Sequence, residues 1–372
     1  MFFVALTFYL LMTILAVYAI EEFDASRSMA GLVAGMFIIG ALVARLLTGK
    51  YLEVLGRRKL IFGSLFLYLA ATLLYFPVDS LPLLLAVRFI HGVAFGISTT
   101  ALATAVMDII PSGRRGEGAS YYSLSPSLAT AVGPFLGLVI TQHADFDMVF
   151  IVCSLFSVMS IILMFFLQIP EAKISKEQIE AMKEFKLQCF FEKSAVPVSI
   201  IILIMGIGYS SILAFLNLYA IELNLTSAAS FFFVTYSVFI FISRPFTGRL
   251  LDVKGDNIVM YPALLLFGLS LVLLSQAGQG YTLLLAGALV GLGFGTLMSC
   301  SQAIVVKSSP PHRIGLATST FFFCLDAGVG TGPYLVGSII SIVGFRGMYL
   351  TLAVVVFLSV FLYYFVHGKK VR

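Results

Sequence analysis

The chain has 372 residues, 60% of them hydrophobic and 11% charged, with a mean hydropathy of +1.05. A soluble domain carries about 25% charged residues, so a water-soluble fold is excluded and the natural solvent is a bilayer. The formal net charge of +5 is too modest to point to nucleic acid, and the four cysteines form no CxxC pair, so neither a disulfide framework nor a metal site is expected.

Twelve apolar runs follow in chain order. A helix needs ~20 apolar residues to cross a hydrocarbon core ~30 Å thick. Every backbone polar group in lipid has to be satisfied within the segment, so each run is predicted to be a helix. The spans are 2–21, 29–49, 59–77, 81–107, 118–141, 148–168, 196–221, 227–250, 258–276, 281–306, 314–340 and 347–366. The first follows no basic segment and no small-residue cleavage site, so it is expected to be a retained span and not a signal peptide.

Charge orients these spans. On alternate connections lie Lys50, Arg57, Arg58 and Lys59, then Arg114 and Arg115, then a lysine-rich stretch between spans six and seven. Arg249 and Lys254, Lys307 and Arg313, and the C-terminal Lys369, Lys370 and Arg372 continue the same side, which holds 18 of the 23 Lys and Arg. The opposite side holds only Arg27 and Arg346. The positive-inside rule then predicts both termini in the cytoplasm of a multi-pass plasma (inner) membrane protein. One miscounted helix would scramble the alternation, so the count of twelve is strongly constrained.

The two halves of the chain repeat one another. Thr48-Gly49-Lys50-Tyr51-Leu52-Glu53-Val54-Leu55-Gly56 reappears as Thr247-Gly248-Arg249-Leu250-Leu251-Asp252-Val253-Lys254-Gly255, 199 residues later. Gly133-Pro134 with Gly332-Pro333, Arg45 with Arg244, Arg114 with Arg313, and Gly92-Val93-Ala94-Phe95-Gly96 with Gly291-Leu292-Gly293-Phe294-Gly295 share that offset. This predicts an all-α membrane protein of two pseudo-symmetric six-helix bundles, 1–168 and 196–372, related by an axis normal to the membrane. The polar linker 169–195 contains Ser175-Lys176-Glu177-Gln178, a capping-box pattern. Ile179, Met182, Phe185, Cys189 and Phe190 follow on one helical face, so a short amphipathic surface helix is predicted there.

These residues resemble the major facilitator superfamily over essentially the whole chain. Gly49 to Lys59, with Glu53, Gly56, Arg57 and Arg58, is similar to its loop 2–3 signature, with Glu53 in place of the usual aspartate. The second copy keeps Asp252 but lacks the basic cluster. Arg88 to Gly96 resembles the helix 4 signature, an arginine four residues before a glycine. Gly133-Pro134-Phe135-Leu136-Gly137 resembles the antiporter signature of the twelve-helix drug:proton antiporters, except that Ala129 stands where that signature has glycine. Gly328-x-x-x-Gly332-Pro333 does have it. The resemblance implies a secondary transporter working by alternating access. It also implies that Glu53 faces the start of helix 11, and Asp252 by pseudo-symmetry the start of helix 5. Gly49, Glu53, Gly56, Arg57, Arg58 and Asp252 are then a conformational latch, with membrane anchoring as the alternative role of the basic residues.

Charges inside the spans are costly, ~2.5–3.5 kcal/mol or more for an arginine. Arg88 therefore needs a partner, and helix 1 offers no acid. It either serves the transport site or braces helices 1 and 4 through carbonyls, and His91 on the same face is a candidate proton relay. Asp326 is the only acid deep inside a span, a candidate for proton coupling or for a cationic substrate, or else a carboxyl hydrogen-bonded to a neighbouring helix. Arg45 and Arg244 lie one turn from the ends of helices 2 and 8, where such side chains snorkel. Gly133-Pro134 and Gly332-Pro333 are expected to break or bend helices 5 and 11.

Candidate cavity residues are Tyr121, Tyr122, Ser125, Tyr209, Asn217, Tyr236 and Gln302, a set that suits amphiphilic ligands. Tyr18 and Tyr219 fit either the cavity or an interfacial belt, which in a chain without tryptophan has to use tyrosine. No GxxxxGK[ST] loop and no catalytic cluster occur, so no enzyme is expected and no cofactor beyond a proton gradient. The expected function is proton-coupled efflux of a small organic molecule by a monomer. The rivals are an uptake symporter of the same fold, an exporter of one narrow substrate such as a sugar or metallophore, and a non-transporting receptor.

Overall fold

The computed structural model describes residues 1–171 and 189–370, and among them no residue is in a strand. The first half contains α1 (Phe2–Phe23), α2 (Arg27–Leu55), α3 (Arg57–Leu73), α4 (Leu81–Ile109), α5 (Arg115–His143) and α6 (Phe146–Phe165). The second contains α7 (Val196–Glu222), α8 (Thr226–Lys254), α9 (Asn257–Ser275) and α10 (Gly280–Lys307). The helical stretch Ile314–Val366 follows. Its 53 residues would be ~80 Å long at ~1.5 Å per residue, far more than one crossing requires. It is interrupted at Gly344, whose φ of 69° and ψ of −179° are not helical, so it forms two spans, α11 (314–343) and α12 (345–366). α3 has 17 residues and is prolonged by hydrogen-bonded turns, Leu74 N to Ala70 O and Tyr75 N to Thr72 O. Twelve spans result among the described residues. The predicted amphipathic helix falls almost wholly on 172–188, outside the described residues.

The turns repeat as the sequence does. Gly56 (φ 91°) joins α2 to α3 and Gly255 (φ 87°) joins α8 to α9. A side chain is strained at such angles, which accounts for glycine at both places. Asp24 (φ 48°) and Asn224 (φ 56°), residue types that tolerate the left-handed region, end α1 and follow α7.

The chain forms two compact units. The first comprises Met1–Ile109, Ser125–Glu192 and Pro310–Thr320; the second comprises Ile110–Leu124, Lys193–Ser309 and Phe321–Arg372. Each unit thus consists of one half together with the beginning of a helix from the other: α11 in the first unit, α5 in the second.

Within the first unit α4 packs along α2 and α3, and within the second α10 packs along α8 and α9. Small residues make these approaches close, as association in lipid favours. A methyl group on Gly96 would lie 2.7 Å from the Ala41 carbonyl, and one on Gly291 would lie 2.5 Å from the Tyr236 carbonyl. α10 differs from α4 in one respect: Gly291–Gly295 form a π turn, a wider winding that often marks functional sites.

Candidate functional site

The α2–α3 connection in the first unit is a buried ion network. Arg57 is fully buried. Its Nη2 and Nε donate to Glu53 at 2.7 and 2.9 Å, and its Nη1 donates to Asp108 at 2.6 Å and to the Pro170 carbonyl at 3.3 Å. Glu171 accepts the backbone N–H groups of Arg57 (2.7 Å) and Arg58 (2.9 Å), capping the start of α3 where the helix dipole favours negative charge. Arg57 is therefore the hub of a network and not a headgroup anchor. Arg58 is exposed and lies over the Phe62 ring, 5.9 Å from its centroid.

Glu53 also lies against the first turn of α11: a methyl group on Gly315 would be 3.2 Å from its Oε1. Among the described residues its hydrogen bonds nevertheless go to Arg57, not to the N–H groups of α11. Gly49 is close to Ser319 of α11, whose hydroxyl donates to the Arg45 carbonyl.

The second unit repeats this place with the charges exchanged. Asp252 accepts the N–H groups of Gly116 (2.8 Å) and Glu117 (2.9 Å) in the first turn of α5. Asp256 occupies the position equivalent to Arg57, and Lys307 the position equivalent to Asp108. They pair at 3.9 Å, and Asp256 is also 2.9 Å from His367 Nε2. Asn257 donates to the Gly368 carbonyl (2.8 Å) and accepts from the Tyr363 hydroxyl (3.0 Å). The segment after α12 is thereby tied to α9, as the segment after α6 is tied to α3.

Arg45 and Arg244 do not snorkel. Both are buried, because α4 and α10 present hydroxyls beside them. Arg45 donates to Thr99 (3.2 Å) and Thr100 (2.9 Å), while Arg244 donates to the Gly295 carbonyl (3.0 Å) and to Ser299.

Arg88 is fully buried with no carboxylate beside it among the described residues. Its Nε donates to the Val33 carbonyl of α2 at 3.0 Å, its guanidinium lies 4.6 Å from the Phe37 ring centroid, and its Nη2 is 4.0 Å from the Met12 sulfur of α1. Its Nη1 has no hydrogen-bond partner. His91, also fully buried, has Nδ1 3.1 Å from the Tyr75 hydroxyl and Nε2 3.4 Å from Thr72 Oγ1, and Thr72 is in turn 3.4 Å from Ser157. The ring nitrogens of His91 are thus tied to α3 and to the turn that follows it, and the Tyr75 hydroxyl interacts with Arg88 as well.

Asp326 is half-buried on α11, two residues before Gly328, which packs on α7. α5 continues as helix through Pro134, and α11 through Pro333, so neither proline breaks its helix. Proline forfeits one hydrogen bond, and the flanking ones keep the helix continuous. Gly133 fits against α1, where a methyl group would lie 3.0 Å from Leu10 N; Gly332 fits against α7, where one would lie 3.2 Å from Ile207 Cα.

Among the candidate cavity residues, Tyr209 and Tyr236 come together. Their rings are stacked with centroids 5.9 Å apart, and Tyr209 stacks on Phe294 of the π turn at 4.1 Å. Gln302 is buried with no hydrogen-bond partner for Nε2. Tyr121 and Asn217 are exposed, and Tyr122 and Ser125 are half-buried. Tyr18 and Tyr219 are buried, which excludes the interfacial belt for both; the Tyr219 hydroxyl donates to the Leu274 carbonyl at 2.9 Å. Asp108, Glu171, Asp256 and His367 were not identified from sequence, and Lys307 only as one of the basic residues that orient the spans. Arg57/Asp256 and Asp108/Lys307 share the offset of 199 with opposite charges, which was the available signal.

Comparison with known proteins agrees with this architecture. The family model described as Major Facilitator Superfamily matches residues 1–257 and 226–372. An uncharacterized transporter of Methanocaldococcus jannaschii is 26% identical over 341 residues, 90% of this chain and 88% of that protein. The staphylopine export protein of Staphylococcus aureus is 23% identical over 344 residues, 89% of this chain and 85% of that protein. The multidrug resistance protein MdtG of Salmonella arizonae is 23% identical over 339 residues, 89% and 84% of the two chains. The crystal structure of the human organic anion transporter MFSD10 superposes with a TM-score of 0.78 at 16% identity, over 97% of this chain and 96% of that one, a likeness of fold.

Proposed function

The chain belongs to the major facilitator superfamily, and from that premise we propose that this membrane transporter exports a small organic molecule in exchange for protons. Both termini lie in the cytoplasm in this reading, and the monomer works by alternating access. Export is supported by the relatives, two of which are named for staphylopine export and multidrug resistance. Proton coupling is assigned to Asp326, with Arg88 and His91 as the accompanying buried charge and relay.

The observation that carries the alternating-access reading is the capture of the α5 N-terminus by Asp252. A carboxylate on two backbone N–H groups is worth ~2 kcal/mol, enough to bias a two-state equilibrium and weak enough to break in each cycle. Glu53 beside α11 supplies the counterpart contact, with Gly49 and Gly56 allowing the close approach and the turn. The glycine–proline pairs on α5 and α11 are assigned to shaping the transport path, together with Tyr121, Tyr122, Ser125, Tyr209, Asn217, Tyr236 and Gln302.

The test is efflux of ethidium from proteoliposomes under an imposed proton gradient, wild type against Asp326→Asn. Efflux that collapses both with an uncoupler and in the mutant supports the assignment. Efflux that persists in Asp326→Asn removes Asp326 from the coupling path, and efflux indifferent to the gradient overturns proton antiport.

A further inference from the structure

The geometry points to a substrate bearing a single carboxylate, bound by the terminal edge of the Arg88 guanidinium. This rests on the assignment of Arg88 to the transport path and adds the chemical class of what it binds.

A guanidinium has two edges that can grip an oxyanion with parallel hydrogen bonds. Arg88 is aimed by two contacts that leave one of them open. Nε is spent on the Val33 carbonyl at 3.0 Å, and the Phe37 ring, 4.6 Å away, holds the plane of the group. What remains is the edge formed by Nη1 and Nη2. Nη1 has no hydrogen-bond partner, Nη2 reaches the Met12 sulfur at 4.0 Å, and the Tyr75 hydroxyl beside the group is shared with His91. A thioether is a weak acceptor on an unbranched, adaptable side chain, and Met12 is half-buried whereas Arg88 is fully buried. Swinging Met12 aside would present two donors at once.

Charge selects the ligand. An arginine does not lose its proton in proteins, so this buried site carries a full positive charge. Among the described residues no carboxylate pairs with Arg88, and α1, which supplies Met12, has no acid before Glu21. His91, the other titratable group beside it on α4, is held by Tyr75 and Thr72. A carboxylate brings one negative charge and two coplanar oxygens, which match one cation and one open edge. Phosphate brings about −1.5 to −2 charge at neutral pH, and its excess would remain buried and uncompensated.

The test is thermal unfolding of the purified full-length protein in detergent with millimolar benzoate or hexanoate. Benzamide, hexanamide and inorganic phosphate are the controls. Ligands that bind the folded state raise the midpoint. We expect the carboxylates to raise it and the controls to leave it in place. In Arg88→Gln the affinity for carboxylate falls about tenfold or more, the loss of at least one charged hydrogen bond. Arg88→Lys, a point charge without the fork, falls between the two. If Arg88→Gln does not fold, Met12→Ala carries the test: removing the competing sulfur contact strengthens benzoate binding about two- to tenfold. Equal shifts from acids and amides, an equal shift from phosphate, no shift from either carboxylate, or unchanged affinity in Met12→Ala would each overturn the assignment. Carboxylate binding through Arg88 without proton-driven ethidium efflux leaves this inference standing and removes broad drug efflux from the proposed function. Ethidium efflux without carboxylate binding does the reverse.

Discussion

The connection between α2 and α3 and its counterpart between α8 and α9 are the same piece of architecture held together by opposite charges. In the first, an arginine at position 57 is gripped by acids from α2 and α4. In the second, an aspartate at position 256 is met by a lysine from α10 and a histidine after α12. Duplication preserved the geometry, in which the start of the third helix of each half is tied to the end of the fourth, and let the signs reverse. The reversal has a consequence one turn earlier. Glu53 has a cation four residues on and folds back to it, whereas Asp252 has an aspartate there and turns to the N–H groups of α5. The acid of one repeat is thus partly neutralised within its own network, and that of the other is committed to a helix from the opposite half.

The comparison can be broken most severely at Arg57. Arg57→Ala leaves Glu53, Asp108 and Glu171 clustered around a vacated cation site and is expected to destabilise the protein by about 3–5 kcal/mol. That would be read as a large fall in the unfolding midpoint and in folded yield. Asp256→Ala is expected to cost less, about 1–2 kcal/mol, because Lys307 is half exposed and regains water. A larger loss in Asp256→Ala than in Arg57→Ala would refute the ranking. Asp252→Asn keeps the side-chain shape and halves the grip on α5. It should shift the equilibrium toward the cytoplasm-open state by about 1 kcal/mol, roughly fivefold, measured by spin-label distances across that face, and Glu53→Gln should shift it less. The smallest effect is expected at Arg114, largely exposed and paired at 3.0 Å with Glu117. Arg114→Gln should alter the unfolding midpoint by no more than about 1 kcal/mol equivalent.

Much of the fold was legible because lipid imposes one rule, an apolar helix of sufficient length, on every span. The positions of Gly56, Gly255 and Gly344 were visible as breaks between apolar runs, and backbone angles that favour glycine account for them. Partners were less legible than positions. Arg45 and Arg244 were expected at the interface from their distance to the helix ends. Their burial depends on Thr99, Thr100 and Ser299, which only the packing of α4 on α2 and α10 on α8 brings within reach. Arg88 was recognised as a costly charge, but that its neighbours would be a carbonyl, a ring and a sulfur follows from the rotation of α1 and α2 about their axes, which a twelve-fold hydropathy pattern does not encode. The cavity candidates fared unevenly for the same reason: residue type marks polarity within a span, not the face it occupies.

The placement of residues 310–320 with the first unit and 110–124 with the second has a consequence for biogenesis. Membrane insertion proceeds from the N-terminus, and domains generally fold in the order they are made. When the first six helices have left the ribosome, the first turn of α5 still lacks Asp252, and the socket formed by Gly49, Leu52 and Glu53 still lacks the start of α11. The first half therefore waits, incompletely packed at one end, until nearly the whole chain has been synthesised, and the last helices to be inserted complete both units together.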